Sequence, residues 1–172
     1  MLAAMPNLTR SRGFTLIEIL VVLGIVGIVV AMVVVKILPD DKQALREEAS
    51  RLALLLEHAR DEALISGRSV AWSAQGETHS FWQREKILAA QNTVERKWLP
   101  LTGKEVLRER RFAHAVTLAQ LSINRIPVDL DERLIFSPAG LNAPFAAVLD
   151  LPPHRITLSA DASGNIRLHE SP

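Results

Sequence analysis

The stretch RGFTLIEILVVLGIVGIVVAMVVVK, Arg12–Lys36, decides how this chain is read. From Phe14 to Val35 it is apolar apart from Thr15 and Glu18, and no charge occurs from Ile19 to Val35. A helix that crosses a bilayer needs roughly 20 residues at about 1.5 Å each, so the run is long enough. Glu18 is the anomaly. A bare carboxylate in hydrocarbon is costly, so a membrane segment that keeps one either uses it or lets it reach the headgroups. Arg10 and Arg12 precede the run, and no acid occurs from Met1 to Arg12. The excess of cations on that side places the N-terminus in the cytoplasm and Lys36 onward outside.

Three kinds of segment compete. A secretory signal peptide has an apolar core of about 7–15 residues and a small-x-small cleavage site. This run is longer, and the VVVKILPDD that closes it has no such site. An ordinary signal anchor fits the length and leaves Glu18 without a purpose. The third kind needs the glutamate. RGFTLIE resembles the class III signal of type IV pilins and type II secretion pseudopilins: a short basic leader ending in glycine, then an aromatic residue, a threonine, a leucine and, fifth after the glycine, a glutamate. The resemblance implies that a membrane peptidase cuts between Gly13 and Phe14 on the cytoplasmic side. It also implies that the same enzyme methylates the new N-terminus at Phe14, and that Glu18 is the assembly charge. The chemistry is coherent. Gly13 lets an extended backbone enter a protease cleft. Cleavage creates an ammonium at Phe14, with which Glu18 of a neighbouring subunit can pair, so that two costly charges neutralise each other in a low dielectric.

Beyond the run, Pro39 is expected to end or kink the helix. Asp40 and Asp41 sit where an N-cap and a first-turn acid belong. Leu45, Ala49, Leu52, Leu56, Ala59 and Ala63 then recur at spacings of four and three, which keeps them on one helix face. Leu55 and Leu64 are expected to widen that stripe, and Gly67 to stop the helix. The stripe is expected to pack on strands of its own domain. After Gly67 the period becomes that of strands: SVAWSA, HSFWQRE, KWLPL, VLRERRF, VTLAQLSIN, RLIFSP, FAAVLDL, RITLSAD and NIRLHE. DASGN, Asp161 to Asn165, reads as a hairpin turn. Pro100, Pro127, Pro138, Pro144, Pro152 and Pro153 are expected to punctuate strands rather than sit in central ones. The expected fold class is α+β: a long N-terminal helix, transmembrane then amphipathic, followed by an antiparallel β domain of two small sheets around the helix's C-terminal half.

The C-terminal part carries a second resemblance. RLIFSPAGLNAPFAAVLDL followed by RITLSADASGNIRL is similar to the closing strands of the H-type minor pseudopilins of type II secretion and of related minor pilins. This implies a leader at 1–13, a transmembrane helix at 14–38, a periplasmic amphipathic helix at 39–67 and a periplasmic β-rich domain at 68–172. It implies a structural role at or near the tip of a pseudopilus that supports export of folded proteins across the outer membrane. The implied partners are the other minor pseudopilins, the major one, the prepilin peptidase/methyltransferase, the inner membrane and secreted exoproteins. The alternative is a type IV minor pilin that binds and takes up DNA.

The remaining residues argue against catalysis. The chain has 172 residues, no cysteine and a net charge of +1, so thiol chemistry is excluded and no overall field attracts nucleic acid. The histidines at 58, 79, 114, 154 and 169 are scattered, without a metal-ligand partner at helical spacing. No serine lies in a nucleophile-elbow context. Neither a cofactor nor a metal is expected, and the protein is not read as an enzyme. Asp129, Asp131 and Glu132 in VDLDE read as a solvated acidic turn, with a Ca²⁺ cluster as the weaker reading. Arg108, Arg110 and Arg111 in VLRERRF are the densest basic cluster. On a strand, Arg108 and Arg110 would share a face. They read as a solvated strand, or as a phosphate-binding edge if the chain captures DNA. Trp72, Trp82 and Trp98 are expected to pack the sheet interior, each with a partner for its indole N–H. Gly24 and Gly27 are expected to allow close helix contact or local unwinding in the membrane segment.

Overall fold

The computed structural model describes residues 15–37, 40–88 and 94–171, with 32–37 as backbone only. Gly13, Phe14, the rest of the leader and Pro39 lie outside the described residues. The chain divides into two compact units, Met1–Pro39 and Asp40–Pro172. The described part of the first is a single helix, α1 (Leu16–Ile37), of 22 residues.

The second unit starts with α2 (Asp41–Ser66). Asp40 caps it as its composition suggests: the carboxylate accepts from the backbone N–H of Lys42 at 3.1 Å and of Gln43 at 3.3 Å. Two of the donors that a helix start leaves unpaired are thereby satisfied. Gly67 ends the helix in the left-handed conformation, φ +65°. The predicted stripe is the buried face: Leu45, Ala49, Leu52, Leu56, Ala59 and Ala63 are all fully covered or nearly so, and Leu55 joins them. Leu64 does not. It stands half-exposed, because it lies about 100° around the helix from the fully buried Ala63 and so points off the stripe.

Among the described residues, ten strands form two five-stranded sheets. The first holds β1 (Val70–Gln75), β2 (Thr78–Leu88), β3 (Val94–Pro100), the short β4 (Arg110–Arg111) and β7 (Leu134–Phe136), in the order β3-β2-β1-β7 with β4 also on β2. The second runs β10-β9-β8-β5-β6, from β5 (Thr117–Ile123), β6 (Ile126–Val128), β8 (Phe145–Leu151), β9 (His154–Ala160) and β10 (Ile166–Ser171). Every pairing is antiparallel. The inner faces follow the period of two: Phe145, Ala147 and Leu149 on β8, and Ile156, Leu158 and Ala160 on β9. Leu118 and Leu121 on β5 are an odd distance apart and yet both are buried. A bulge between Leu118 and Gln120 makes that possible, since the extra residue resets the alternation. Inner-face residues of both sheets and the α2 stripe form one apolar core.

Two further sequence expectations change. VLRERRF is not a strand. Residues 105–108 are turn and bend, Leu107 turns inward and is fully buried, and only Arg110–Arg111 pair with β2. Pro127 lies inside β6 and, as expected, not in a central strand. That strand is the sheet's edge, where a missing N–H costs no ladder bond. Of the three tryptophans only Trp72 lies in the interior; Trp82 and Trp98 sit half-exposed on the outer face of the first sheet.

The β9–β10 hairpin ties the last strand to the helix. In DASGN, Asp161 accepts from the backbone N–H of Ser163 at 2.9 Å and of Asn165 at 3.1 Å. The Ser163 hydroxyl bond, followed by that of the Asn165 backbone, holds its carboxyl below the usual range. Gly164 has φ +83°, and a Cβ there would meet Arg60 Cδ at 2.7 Å, so the position admits glycine on two counts. The close approach brings the Arg60 guanidinium within 2.9 Å of the Gly164 carbonyl, to which it donates. At the other end of the strand, Glu170 pairs with Lys42 at 3.1 Å and Arg46 at 3.5 Å.

Candidate functional site

Glu18 lies in the first turn of α1. Its backbone N–H donates to the Thr15 carbonyl at 3.1 Å and approaches the Thr15 hydroxyl at 3.3 Å, so Thr15 is the cap. An acid in that turn is favoured by the helix dipole, by about 0.3–1 kcal/mol. This local benefit was not part of the sequence reading, although Thr15-x-x-Glu18 has the spacing of a capping box. From Ile19 to residue 31, where the described side chains end, α1 is apolar on every side. Consecutive residues from Ile19 to Leu23, and Ile25, Val26, Ile28, Val29 and Val30, are all exposed, so no polar stripe exists to face water. Among the described side chains, which end at residue 31 of α1, no helix is long and apolar enough to cross a membrane. The backbone helix continues to Ile37, which makes it about 33 Å long. Gly24 and Gly27 have nothing within 4 Å of a built Cβ, leaving a smooth patch on that helix.

The arginine cluster is not brought together. Arg108 is exposed on a bend, Arg110 donates to the Glu105 carbonyl at 3.1 Å, and Arg111 pairs with Glu77 at 3.1 Å. Asp129, Asp131 and Glu132 are exposed in the turn after β6. Among the described residues no three His, Asp or Glu side chains converge.

On the outer side of α2, Arg46, Ser50, Arg51, Leu54, His58 and Val106 border an open groove of about 780 Å³. Beside this face, two buried acids are partnered: Glu48 with Arg51 at 3.2 Å, and Glu62 with Lys104, which fastens the loop after β3 to the helix.

His79 is the buried polar group that sequence reading missed. It is 1 % exposed and packed among Trp72, Phe81 and Phe112, the last with ring centroids 4.9 Å apart. Neither imidazole nitrogen has a hydrogen-bond partner, nor has the Trp72 indole N–H. Burial first, then the charges of Arg51 and Arg110, lower its pKa from 6.5 to about 4. Its alternation with Phe81 in HSFW was the available signal. The linkage has a definite sign. The unfolded chain takes up a proton below about pH 6.5 and the folded chain does not until about pH 4. Stability from this group is therefore present above pH 6.5 and lost as the pH falls toward 4, by about 2–3 kcal/mol. His79→Phe is expected to flatten urea-unfolding stability between pH 7 and pH 4.5. An undiminished pH slope in the variant would reject this account.

The helix-plus-two-sheet architecture is that of pilin-like proteins. Two solved structures show the same fold: the solution structure of GspH from E. coli, at TM-score 0.56 and 18 % identity over 75 % of this chain and 89 % of that one, and the minor pseudopilin EpsH of the Vibrio cholerae type II secretion system, at TM-score 0.55 and 18 % identity over 74 % and 94 %. Residues 8–34 match the prokaryotic N-terminal methylation motif. Type II secretion system protein H of Aeromonas hydrophila is 28 % identical, over 92 % of this chain and 93 % of its own length. Residues 48–169 match the family described as type II transport protein GspH, and the chain belongs to that family. It is a minor pseudopilin of type II secretion, a structural subunit and not an enzyme.

Proposed function

We propose that the chain is inserted in the inner membrane by α1, with its N-terminus in the cytoplasm and the unit from Asp40 in the periplasm, and is cut between Gly13 and Phe14. The Phe14 amine is N-methylated by the same peptidase. The processed subunit joins a short pseudopilus at or near its tip, among the other minor pseudopilins and the major one, and that filament supports export of folded proteins across the outer membrane. The single observation that carries this is the coincidence of two matches: the methylation motif over 8–34, which contains Glu18, and the GspH family over 48–169.

In this reading each part of the chain has one task. The all-round apolar surface of α1 suits lipid or neighbouring helices. Glu18 sets the register by pairing with the Phe14 ammonium of an adjacent subunit, a match of two charges that would be costly apart. The β domain offers lateral surface. Mass spectrometry of the membrane-bound protein is expected to show an N-methyl-Phe14 terminus. An intact Met1 terminus in peptidase-positive cells would sink the reading.

A further inference from the structure

β1 pairs with β2 only from Thr78 to Gln83. The Arg84 N–H still donates to the Ser69 carbonyl at 2.9 Å, but from Glu85 to Leu88 β2 is paired by β3 alone, so the two strands continue past the sheet as a ribbon. Along its outer face run Trp82, Arg84, Lys86 and Leu88, opposite Pro100, Trp98, Arg96 and Val94. Charge is segregated between the two faces. On the inner face Glu85 stands opposite Lys97 and pairs with Arg68 at 3.0 Å, while Glu95 pairs with Lys97 at 3.2 Å. On the outer face Lys86 stands directly across the ladder from Arg96. Like charges in that position repel. Among the described residues neither has a carboxylate partner, and the linking residues 89–93, AAQNT, contain no acid that could supply one.

Where β1 ends, the ribbon and the end of α2 enclose a cleft of about 530 Å³. Arg68, Arg84, Lys86 and Arg96 line it, with the hydroxyl-bearing Ser66 and Ser69. Its one acid, Glu85, is already engaged by Arg68. Arg84 is held in place: its guanidinium lies 5.3 Å from the Trp98 ring centre, while Arg133 covers Trp82 at 4.9 Å and approaches Trp98 at 6.0 Å. A guanidinium stacked by its face keeps its edge donors free for a carboxylate fork.

We propose that this cleft binds an extended acidic segment of a partner protein, with carboxylates on alternate residues. Alternate side chains on a strand recur at about 6.6–6.8 Å, so such a segment can address Arg84 and Lys86 in step. At the far end Leu88 and Val94, 77 % and 59 % exposed and directly opposite each other, provide an apolar contact beside the charges. That mixture suits a polypeptide. Nucleic acid is the poorer fit, because the two tryptophans that could stack bases are already covered by guanidiniums. The proposal does not depend on the processing of Gly13 and Phe14.

The test uses the full chain in detergent and a fluorescent peptide of alternating glutamate and valine. Controls are the same peptide with glutamine for glutamate and a short single-stranded oligonucleotide. Saturable binding of the glutamate peptide, at least about tenfold tighter than the glutamine peptide and weakened by salt, is expected. Lys86→Glu is expected to abolish binding and at the same time to raise the melting temperature, because it turns a repelling cross-strand pair into an attracting one. Equal binding of the two peptides, no saturation below about 1 mM, tighter binding of the oligonucleotide, or unchanged peptide binding by Lys86→Glu would each overturn the proposal.

Discussion

A chain carrying Gly13→Val is expected to remain at full length in peptidase-positive cells and to be absent from the pseudopilus. The reason is steric. A cleavage site read on an extended backbone has no room for a β-branched side chain where glycine stands. Without the cut, no ammonium forms at Phe14, and Glu18 has nothing to pair with in the neighbouring helix. Glu18→Ala separates the two steps. The substitution leaves Gly13 and Phe14 unchanged, so cleavage proceeds; the charge pair is lost, so co-purification with other pseudopilins falls at least about tenfold, as expected for loss of a paired charge in a low dielectric. The first-turn position of Glu18 sharpens the test. If the acid serves only its own helix, the loss is worth about 0.3–1 kcal/mol and assembly barely changes. Normal assembly of the cleaved Glu18→Ala chain would therefore assign the residue to the helix start and remove it from the interface.

The second large effect lies in α2. Leu56 is 0 % exposed in the middle of the core, and Leu54, two residues earlier, is 66 % exposed on the opposite side. Leu56→Ala is expected to cost about 3–4 kcal/mol, the transfer term plus the cavity left between helix and sheets. That lowers the melting temperature by about 10 °C or more for a unit of this size. Leu54→Ala is expected to stay within about 0.5 kcal/mol. Near-ultraviolet circular dichroism, which reports on the packed Trp72, measures both. Equal destabilisation by the two substitutions would contradict the orientation of the helix.

The contrast between those two leucines was legible in the sequence, because a 3.6-residue period distinguishes faces without any knowledge of tertiary structure. The same is true of the Asp40 cap, the Gly67 stop and the DASGN hairpin, whose chemistry is local. What was not legible depended on distant neighbours. VLRERRF has strand-like composition, yet Leu107 is drawn into the core and bends the segment out of the ladder. Tryptophan's size argued for burial of Trp82 and Trp98. Alternation with the buried Phe81 argued the other way, and alternation prevailed, with arginines covering the exposed rings. The basic cluster contiguous in sequence, at Arg108, Arg110 and Arg111, is dispersed by turns. The cluster that does converge draws Arg68, Arg84, Lys86 and Arg96 from separate segments, a proximity set by the β2–β3 register.

The tie between Arg60 and Gly164 joins residues 104 positions apart. The helix that it fastens is the first part of the domain to be synthesised, and β8, β9 and β10, which cover that helix, are the last. A core closed by such distant partners forms slowly, and it cannot form at all while the covering strands are still on the ribosome or in transit. The apolar face of α2 therefore stays partly uncovered until those three strands arrive, although β1 reaches it earlier. On the insertion proposed above, the anchor is placed first, and the surface offered to other subunits exists only once the whole chain has arrived.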